Sequence, residues 1–469
     1  MNAASEAAII PEWLLPPSGR TPATVRRAEI IGALSYALDL TEGQPPGHCL
    51  RCCWIGMHIG ERLGLDTPTR ADLYYTLLLK DTGCSSNAAR LWELYGGDDL
   101  LTKRDFKLVD SQSLLQLARF VLRHAGPGEA MRTRFKRLVH LLRHGETLAT
   151  ELVHTRCERG ADIVRRLGFS TRVADSIFSL DEHWNGKGRP QGLRGEAIPI
   201  GARIALFAQV VDVFHTVGGE QAVATEVRRR THTWFDPQVS RAFFAAARRR
   251  EFWTGLQAQG LKERVLALEP SAGSLHVDEP LLDSIAAAFA DIIDAKSNFT
   301  YGHSQRVAGY AEALGIELGL PAPRRAWLRR GALLHDIGKL GVSNGILDKP
   351  GRLDAEEWTA VKRHARYTEE ILARVGVFGE LAPIAGAHHE RLDGTGYPKR
   401  LAGAAIPLET RIITACDIFD AITAARPYRG PMPLVEAFTL MERERDVAID
   451  GRCLDALKRT TRTDPLPAR

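Results

Sequence analysis

Aromatic residues make up only 7% of the 469-residue sequence, and no uninterrupted apolar run approaches the ~20 residues that cross a bilayer. A membrane-spanning protein is therefore not expected, and no membrane partner with it. The seven cysteines are odd in number and scattered, apart from Cys49, Cys52 and Cys53, which disfavours a disulfide-stapled secreted chain and fits a reducing, cytoplasmic setting. The opening MNAASEAAIIPEWLLPP lacks a basic stretch and is broken by Pro11 and Pro16, so it reads as neither signal peptide nor anchor. Charge of one sign is also missing: 62 basic residues stand against 57 acidic ones, for a net +5. The runs Arg228–Arg230 and Arg248–Arg250 read as solvated helix faces, and no nucleic acid polymer is expected as a partner. What is present is a globular composition, 44% hydrophobic and 25% charged, with length for about three domains at roughly 150 residues each.

An internal repeat organises the chain. Gly47-His48-Cys49-Leu50-Arg51 aligns with Gly302-His303-Ser304-Gln305-Arg306, and Leu77–Gly83 aligns with Ala332–Gly338, both 255 positions on (48 to 303, 81 to 336). Asn185–Pro190 aligns with Asp393–Pro398, and Ala202-Arg203-Ile204 with Thr410-Arg411-Ile412, both 208 positions on (185 to 393, 202 to 410). The first copy therefore holds 47 extra residues, the difference between 255 and 208, after Asp81.

Apolar residues recur at helical spacing in 281–296, 303–318, 324–336, 354–375 and 408–425, with Asp354 and Glu357 as a capping box. Period-2 runs are scarce, so the expected class is all-α: two tandem helical bundles, the first carrying an extra helical insertion. The expected organisation is a tail at 1–27, a first bundle at 28–265 with the insertion at about 101–153, a linker at 266–280 and a second bundle at 281–469. Helices at 110–125 and 129–153 should flank the Gly126-Pro127-Gly128 break.

The second half gathers His303, His335-Asp336, His364, His388-His389 and Asp417 on or beside predicted helices. A lone histidine on an apolar face is more often a core residue, but five such groups together point to a metal centre. Mixed imidazole and carboxylate donors without thiolate suit iron or manganese more than structural zinc. A carboxylate bridges two ions, so Asp336 is the natural centre of a two-metal site of the kind that holds ions about 3.5–4 Å apart and hydrolyses phosphate esters. Lys339, three residues on, would neutralise phosphoryl charge if the helix continues, although Gly338 is a candidate stop.

The motifs His335-Asp336-Ile337-Gly338-Lys339, His388-His389-Glu390-Arg391-Leu392-Asp393-Gly394-Thr395-Gly396-Tyr397-Pro398 and Asp417-Ile418-Phe419-Asp420-Ala421 resemble the HD-GYP branch of the HD phosphohydrolase superfamily over about 285–440. The resemblance implies a five- to seven-helix bundle that hydrolyses cyclic di-GMP through a di- or tri-nuclear iron or manganese centre. It implies His303, His335, Asp336, His364, His388, His389 and Asp417 as metal ligands or their immediate partners, and Asp336 and Lys339 as the catalytic pair. Lys339, Arg426 and Arg429 would hold substrate phosphates, the guanidinium groups by bidentate contacts. Gly396, Tyr397 and Pro398 would form a recognition loop for substrate or for diguanylate cyclase partners, against the plainer reading of a packed turn. The sequence departs from the family pattern at Ala365 and Thr368, which stand where Pro and Gly are usual, and at Ile449-Asp450-Gly451 near the end. Phe299 stands where trinuclear members carry Glu, which favours two ions over three.

In the first half His48 and Asp81 are kept, but Lys80 replaces His335, Cys84 replaces Lys339, Arg156 replaces His364, Leu180 and Asp181 replace the His pair, and Gln209 replaces Asp417. The degenerate site of His48, Lys80, Asp81, Arg156 and Gln209 places permanent cations where ions would sit, so this half should be catalytically silent. Its expected uses are packing, homodimer formation, anion sensing at Lys80 and Arg156, or protein contacts through the insertion. Cys49, Cys52 and Cys53 share one apolar helix face and read as buried thiols rather than a metal or redox site. The leading function is a cyclic di-GMP phosphodiesterase; the alternatives are a phosphodiesterase for another cyclic dinucleotide or nucleotide, and a non-catalytic signalling adaptor.

Overall fold

The computed structural model describes residues 25–270, 277–297, 300–424 and 430–463, and over these the chain is all-α, with isolated bridges in place of strands. Arg426, Arg429, Phe299, residues 271–276 of the expected linker and most of the expected tail lie outside the described residues.

The repeat seen in the sequence is a repeat of helices. His48–Arg62 and Thr67–Leu79 correspond, helix for helix, to His303–Glu317 and Ala322–Leu334 at the same spacing of 255. Ile200–Arg230 begins 208 residues before Leu408–Thr423. The five helices expected in the second half are found as Glu279–Asp294, His303–Glu317, Ala322–Leu334, Ala355–Leu372 and Leu408–Thr423. The Asp354–Glu357 capping box is present, its carboxylates satisfying backbone N–H groups that would otherwise face water unpaired.

The insertion forms Asp99–Phe106 and Leu114–His124 and then enters Met131–Arg166, a helix of 36 residues. The expected helix at 129–153 thus runs on without a break into the counterpart of Ala355–Leu372. Leu94, Ala125, Leu141 and Leu148 give the insertion a small apolar cluster of its own.

Both halves share one continuous core, from Ile30 and Leu77 in the first to Phe289, Leu333 and Ile413 in the second. Helix Arg27–Thr41 packs on the Ile337–Gly341 turn and on Ala355–Leu372, so the first half buttresses the elements that carry Lys339 and His364. Ile200–Arg230 is the one described helix long and apolar enough to span a bilayer, but 67% of its apolar window is buried in this core and it kinks at Gly218–Gly219.

The Arg248–Arg250 run is exposed as expected, but the Arg228–Arg230 run is not simply solvated. Arg230 is buried, bonded to Glu226 and stacked 4.0 Å over the Trp234 ring, while Arg229 pairs with Asp110 and Glu226. Glu226 neutralises the buried guanidinium, which sequence periodicity around a helix cannot register. All seven cysteines are buried free thiols, as the spacing of the first three predicts.

Candidate metal centre

Each group in the second half arrives on a different element. His303 opens helix His303–Glu317, His335 caps the end of Ala322–Leu334, and Asp336 leads into the tight Ile337–Gly341 turn. His364 lies within Ala355–Leu372, His388 and His389 follow Leu381–Gly386, and Asp417 lies on Leu408–Thr423. The α-helix before Asp336 stops at Leu334, so Lys339 is delivered by a 3-10 turn rather than by a continuing helix. Gly338 makes that turn fit: a side chain there would collide with the His364 carbonyl, 2.0 Å from its Cβ.

The Asp336 carboxylate is the hub. Its Oδ2 lies 3.7 Å from His303 Nε2 and 3.5 Å from His335 Nε2, and its Oδ1 lies 3.6 Å from His364 Nε2 and 3.7 Å from His388 Nε2. One oxygen thus faces one pair of imidazoles and the other oxygen a second pair. Asp417 Oδ1 joins the first set, 3.3 Å from His303 Nε2, and His389 joins the second. The donor atoms of His303, His335 and Asp417 lie within 4.8 Å of one another, as do those of His364, His388 and His389.

The imidazoles are set up as donors. His335, His364 and His388 each point Nδ1 at the carbonyl three residues earlier, of Ala332, Val361 and Ala385, at 2.7, 2.6 and 2.6 Å. That bond keeps the proton on Nδ1 and aims the Nε2 lone pair inward. Burial, with His389 beside it, holds His364 down at about 3, and burial likewise holds His389 at about 4 against the pull of Asp417 and Asp336.

Two buried acceptors, His335 Nε2 and Asp336 Oδ1, have no hydrogen-bond partner among the described residues, and the His364 and His388 Nε2 atoms face each other at 3.2 Å. Lone pairs turned on one another and on a carboxylate are a poor arrangement by themselves and a good one around cations. The donor set therefore fits two divalent ions.

His303, His335, Asp336, His364 and His388 form a buried floor, while His389, Asp417 and Lys339 are partly exposed at the mouth. Lys339 Nζ sits 2.5 Å from Asp336 Oδ2. The Gly396-Tyr397-Pro398 loop reaches the same mouth: the Tyr397 ring packs 4.8 Å from His389 and 6.4 Å from His364. Gly396 permits this, because a Cβ there would meet Glu390 Cα at 2.6 Å and Arg391 N at 2.5 Å. The buried Glu390 carboxylate gathers the N–H groups of Lys399 and Leu401, closing the loop behind Tyr397.

Asp420 is a site residue that the motifs alone do not single out. Its Oδ2 lies 2.7 Å from His303 Nδ1, and Arg306 brackets both its oxygens. The repeat carried the signal, since Asp212 holds His48 and Arg51 in the same way 208 residues earlier. Burial opposes charge on His303, but Asp417 and Asp420 outweigh it and raise the ring to about 10.

The degenerate site is filled by the chain's own cations. Lys80 Nζ lies 3.0 Å from His48 Nε2 and 3.3 Å from Gln209 Oε1 and bonds Asp81. Lys107, from the insertion, adds a second ammonium 2.8 Å from Glu42 and 3.9 Å from Asp81. Having no counterpart in the second half, it left no trace in the repeat. Arg156 pairs with Asp181, so the cations expected to attract an anion are already neutralised. Burial, Lys80 and Lys107 depress His48 to about 4.

Residues 136–239 and 287–453 match the family model for the HD domain. Over 432 residues the chain is 51% identical to the 3'3'-cGAMP-specific phosphodiesterase 3 of Vibrio cholerae, covering 92% of this chain and 94% of that one. Over 187 residues it is 34% identical to a cyclic di-GMP phosphodiesterase of Thermotoga maritima, covering 39% of this chain and 51% of that one. Among solved structures, a crystal structure of the V. cholerae cyclic GMP-AMP-specific phosphodiesterase V-cGAP3 superposes with a TM-score of 0.65 at 45% sequence identity, over 94% of this chain and 98% of that one.

Proposed function

The chain belongs to the HD domain family, in its HD-GYP branch, and on that premise we propose that it is a metal-dependent phosphodiesterase whose second half opens a cyclic dinucleotide, 3'3'-cyclic GMP-AMP before cyclic di-GMP. The observation that carries the chemistry is the Asp336 carboxylate, one oxygen turned to His303 and His335 and the other to His364 and His388. In this reading His303, His335 and Asp417 would hold one ion and His364, His388 and His389 the other, with the Asp336 carboxylate facing both sets. Two such ions, iron or manganese by donor type, supply a water activated for attack and charge stabilisation on the phosphoryl oxygens.

The chain's own residues do the rest. Lys339, at the mouth, takes a non-bridging phosphate oxygen and offsets the charge that builds there. Tyr397 offers a ring face beside the site, with the Lys362 ammonium 5.4 Å from its centre, a platform for a base. That placement supports the substrate-facing reading of the loop over a cyclase-docking one. Water adds across one phosphodiester: a new P–O bond forms, the bond to the leaving ribose oxygen breaks, and that oxygen takes up a proton.

The choice of substrate rests on extent of likeness. The cGAMP-specific relative matches both halves, whereas the cyclic di-GMP relative matches 39% of this chain. The test is hydrolysis of 3'3'-cyclic GMP-AMP, cyclic di-GMP and cyclic di-AMP under reducing conditions with added iron or manganese. The proposal expects kcat/KM for 3'3'-cyclic GMP-AMP roughly tenfold or more above the others. A higher value for cyclic di-GMP restores the first expectation, and binding without hydrolysis of any of the three makes the chain an adaptor.

A further inference from the structure

Helix Asp99–Phe106 belongs to the insertion of the silent half, yet its first residue is buried against the catalytic half. Asp98 caps the helix, bonding the N–H groups of Leu100 and Leu101, which leaves the Asp99 carboxylate to other partners. Asp99 Oδ1 accepts from Asn344 N at 2.7 Å and from Ser343 Oγ at 3.1 Å. Its Oδ2 faces two buried ammonium groups, Lys296 at 3.6 Å and Lys103 at 3.8 Å.

These partners flank the metal-centre residues on both sides. Ser343 and Asn344 follow directly on the Ile337–Gly341 turn that bears Lys339 and begins at Asp336. Lys296 precedes His303, and its carbonyl accepts from Asn344 Nδ2 at 2.7 Å, which ties the two flanks together. Asn344 Nδ2 and Ser297 Oγ also bond Asp348, extending the tie. At the other end the helix is anchored in the degenerate site. Lys103 donates to the carbonyls of Thr41 and Cys84 at 3.0 Å each, and Lys107, at the helix end, reaches Glu42.

We propose that Asp99 is a positioning residue for the hydrolysis, by which the silent half fixes the turn carrying Asp336 and Lys339 against the segment leading to His303. The inference rests on the phosphodiesterase reading for its kinetic consequence and on geometry alone for its structural one. The insertion then serves both halves, since one short helix fills the dead site with Lys107 and braces the live one with Asp99. Asp99 touches neither substrate nor ions, so its effect passes through the 337–348 turn.

The test uses the full chain with Asp99→Asn, which keeps an acceptor but removes the charge, and Ser343→Ala, which removes the hydroxyl that donates to Asp99 Oδ1 and also accepts from Gly345 N. Asp99→Asn is expected to lower kcat roughly ten- to a hundredfold while KM changes less than about threefold, since a small misplacement of reacting groups costs rate more than binding. Amide exchange across 337–348 should rise in both variants, and metal affinity should fall in Asp99→Asn, while exchange in 303–317 away from the turn stays as in the parent. Unchanged exchange in the turn together with unchanged kcat would overturn the proposal, as would a loss of kcat accompanied by uniform loosening of the whole chain. If Asp99→Asn does not fold, Ser343→Ala decides alone, by exchange in 337–341, ahead of the Gly345 N–H that the same hydroxyl caps. A parent chain that hydrolyses no cyclic dinucleotide ends the phosphodiesterase reading, and the exchange data still decide whether Asp99 holds the turn.

Discussion

Lys80 Nζ lies 3.0 Å from His48 Nε2 in the first half, on the ring nitrogen that the equivalent His303 turns towards Asp417 and Asp336 in the second. A cation carried by the chain sits on the imidazole itself, whereas in the second half the nearby ammonium, Lys339, bonds Asp336 Oδ2 from the mouth and the His303 nitrogen faces carboxylates. The two halves have thus solved one problem, how to neutralise a buried acidic cluster, in two ways.

Removing that cation should be costly and should not create a metal site. Lys80→Met leaves Asp81 with Lys107 at 3.9 Å as its remaining ammonium. We expect a loss of about 3–5 kcal/mol in denaturant unfolding, with metal content per chain unchanged. A variant as stable as the parent, or one that gains an ion, contradicts the account.

Asp420 should act on the metal centre through His303, with Arg306 holding the carboxylate from the other side. With Asp420→Ala the His303 ring loses the acceptor that orients it, and metal affinity should fall roughly 10- to 100-fold with the helical content kept. Titration with manganese measures this; an unchanged affinity would show that the Asp420 bond is incidental.

Thr368 shows how a departure from the family pattern is absorbed. Its hydroxyl donates to the His335 carbonyl at 2.8 Å and accepts from Gly338 N at 3.1 Å, tying the His364 helix to the Asp336 turn. In the first half the same position is Gly160, against which Gly83 packs directly. Thr368→Val keeps the shape and strands a buried N–H, so thermal or denaturant unfolding should register a loss of about 1–3 kcal/mol.

Acid should weaken the first half through His183. Burial and the neighbouring Arg230 hold this ring at about 3, and Gln112 Nε2 donates to its Nδ1 at 3.1 Å, a bond that only the neutral ring accepts. Because the folded value lies below the ordinary 6.5, the unfolded chain binds the extra proton between the two. Stability is then full above about pH 6.5 and falls as the pH drops towards 3, by about 4 kcal/mol over the whole window. His183→Phe keeps a ring stacked on Trp234 and should flatten the slope of unfolding free energy between pH 6.5 and 4; an identical slope places the acid sensitivity elsewhere.

The fold was legible because two copies of it are written in one chain. The spacings of 255 and 208 located the paired helices, and the structure brings to Asp336 the His335, His388, His389 and Asp417 of the motifs together with His303 and His364 from the helices before and between them. Less legible were residues whose role depends on a partner far along the chain. Asp420 and Asp294 orient His303 and its neighbour Ser304, and their first-half counterparts Asp212 and Asp39 do likewise for His48 and Cys49, but a carboxylate inside a helix looks the same whether it faces solvent or an imidazole. Lys107 and Asp99 lay in the insertion, where the repeat offers no comparison. The stop of the helix before Lys339 and the run-on of the insertion into Met131–Arg166 are set by packing against Ala355–Leu372 and by continuous helical hydrogen bonding, neither of which apolar spacing resolves at a boundary.

The most direct test of the account is metal content and turnover measured together, on the parent and on Asp336→Asn, after anaerobic loading with iron or manganese and incubation with 3'3'-cyclic GMP-AMP. The account predicts two ions per parent chain with conversion to linear product, and in Asp336→Asn loss of both the ions and the hydrolysis. Retention of two ions and full turnover by Asp336→Asn, or turnover by a parent that holds no metal, would contradict it.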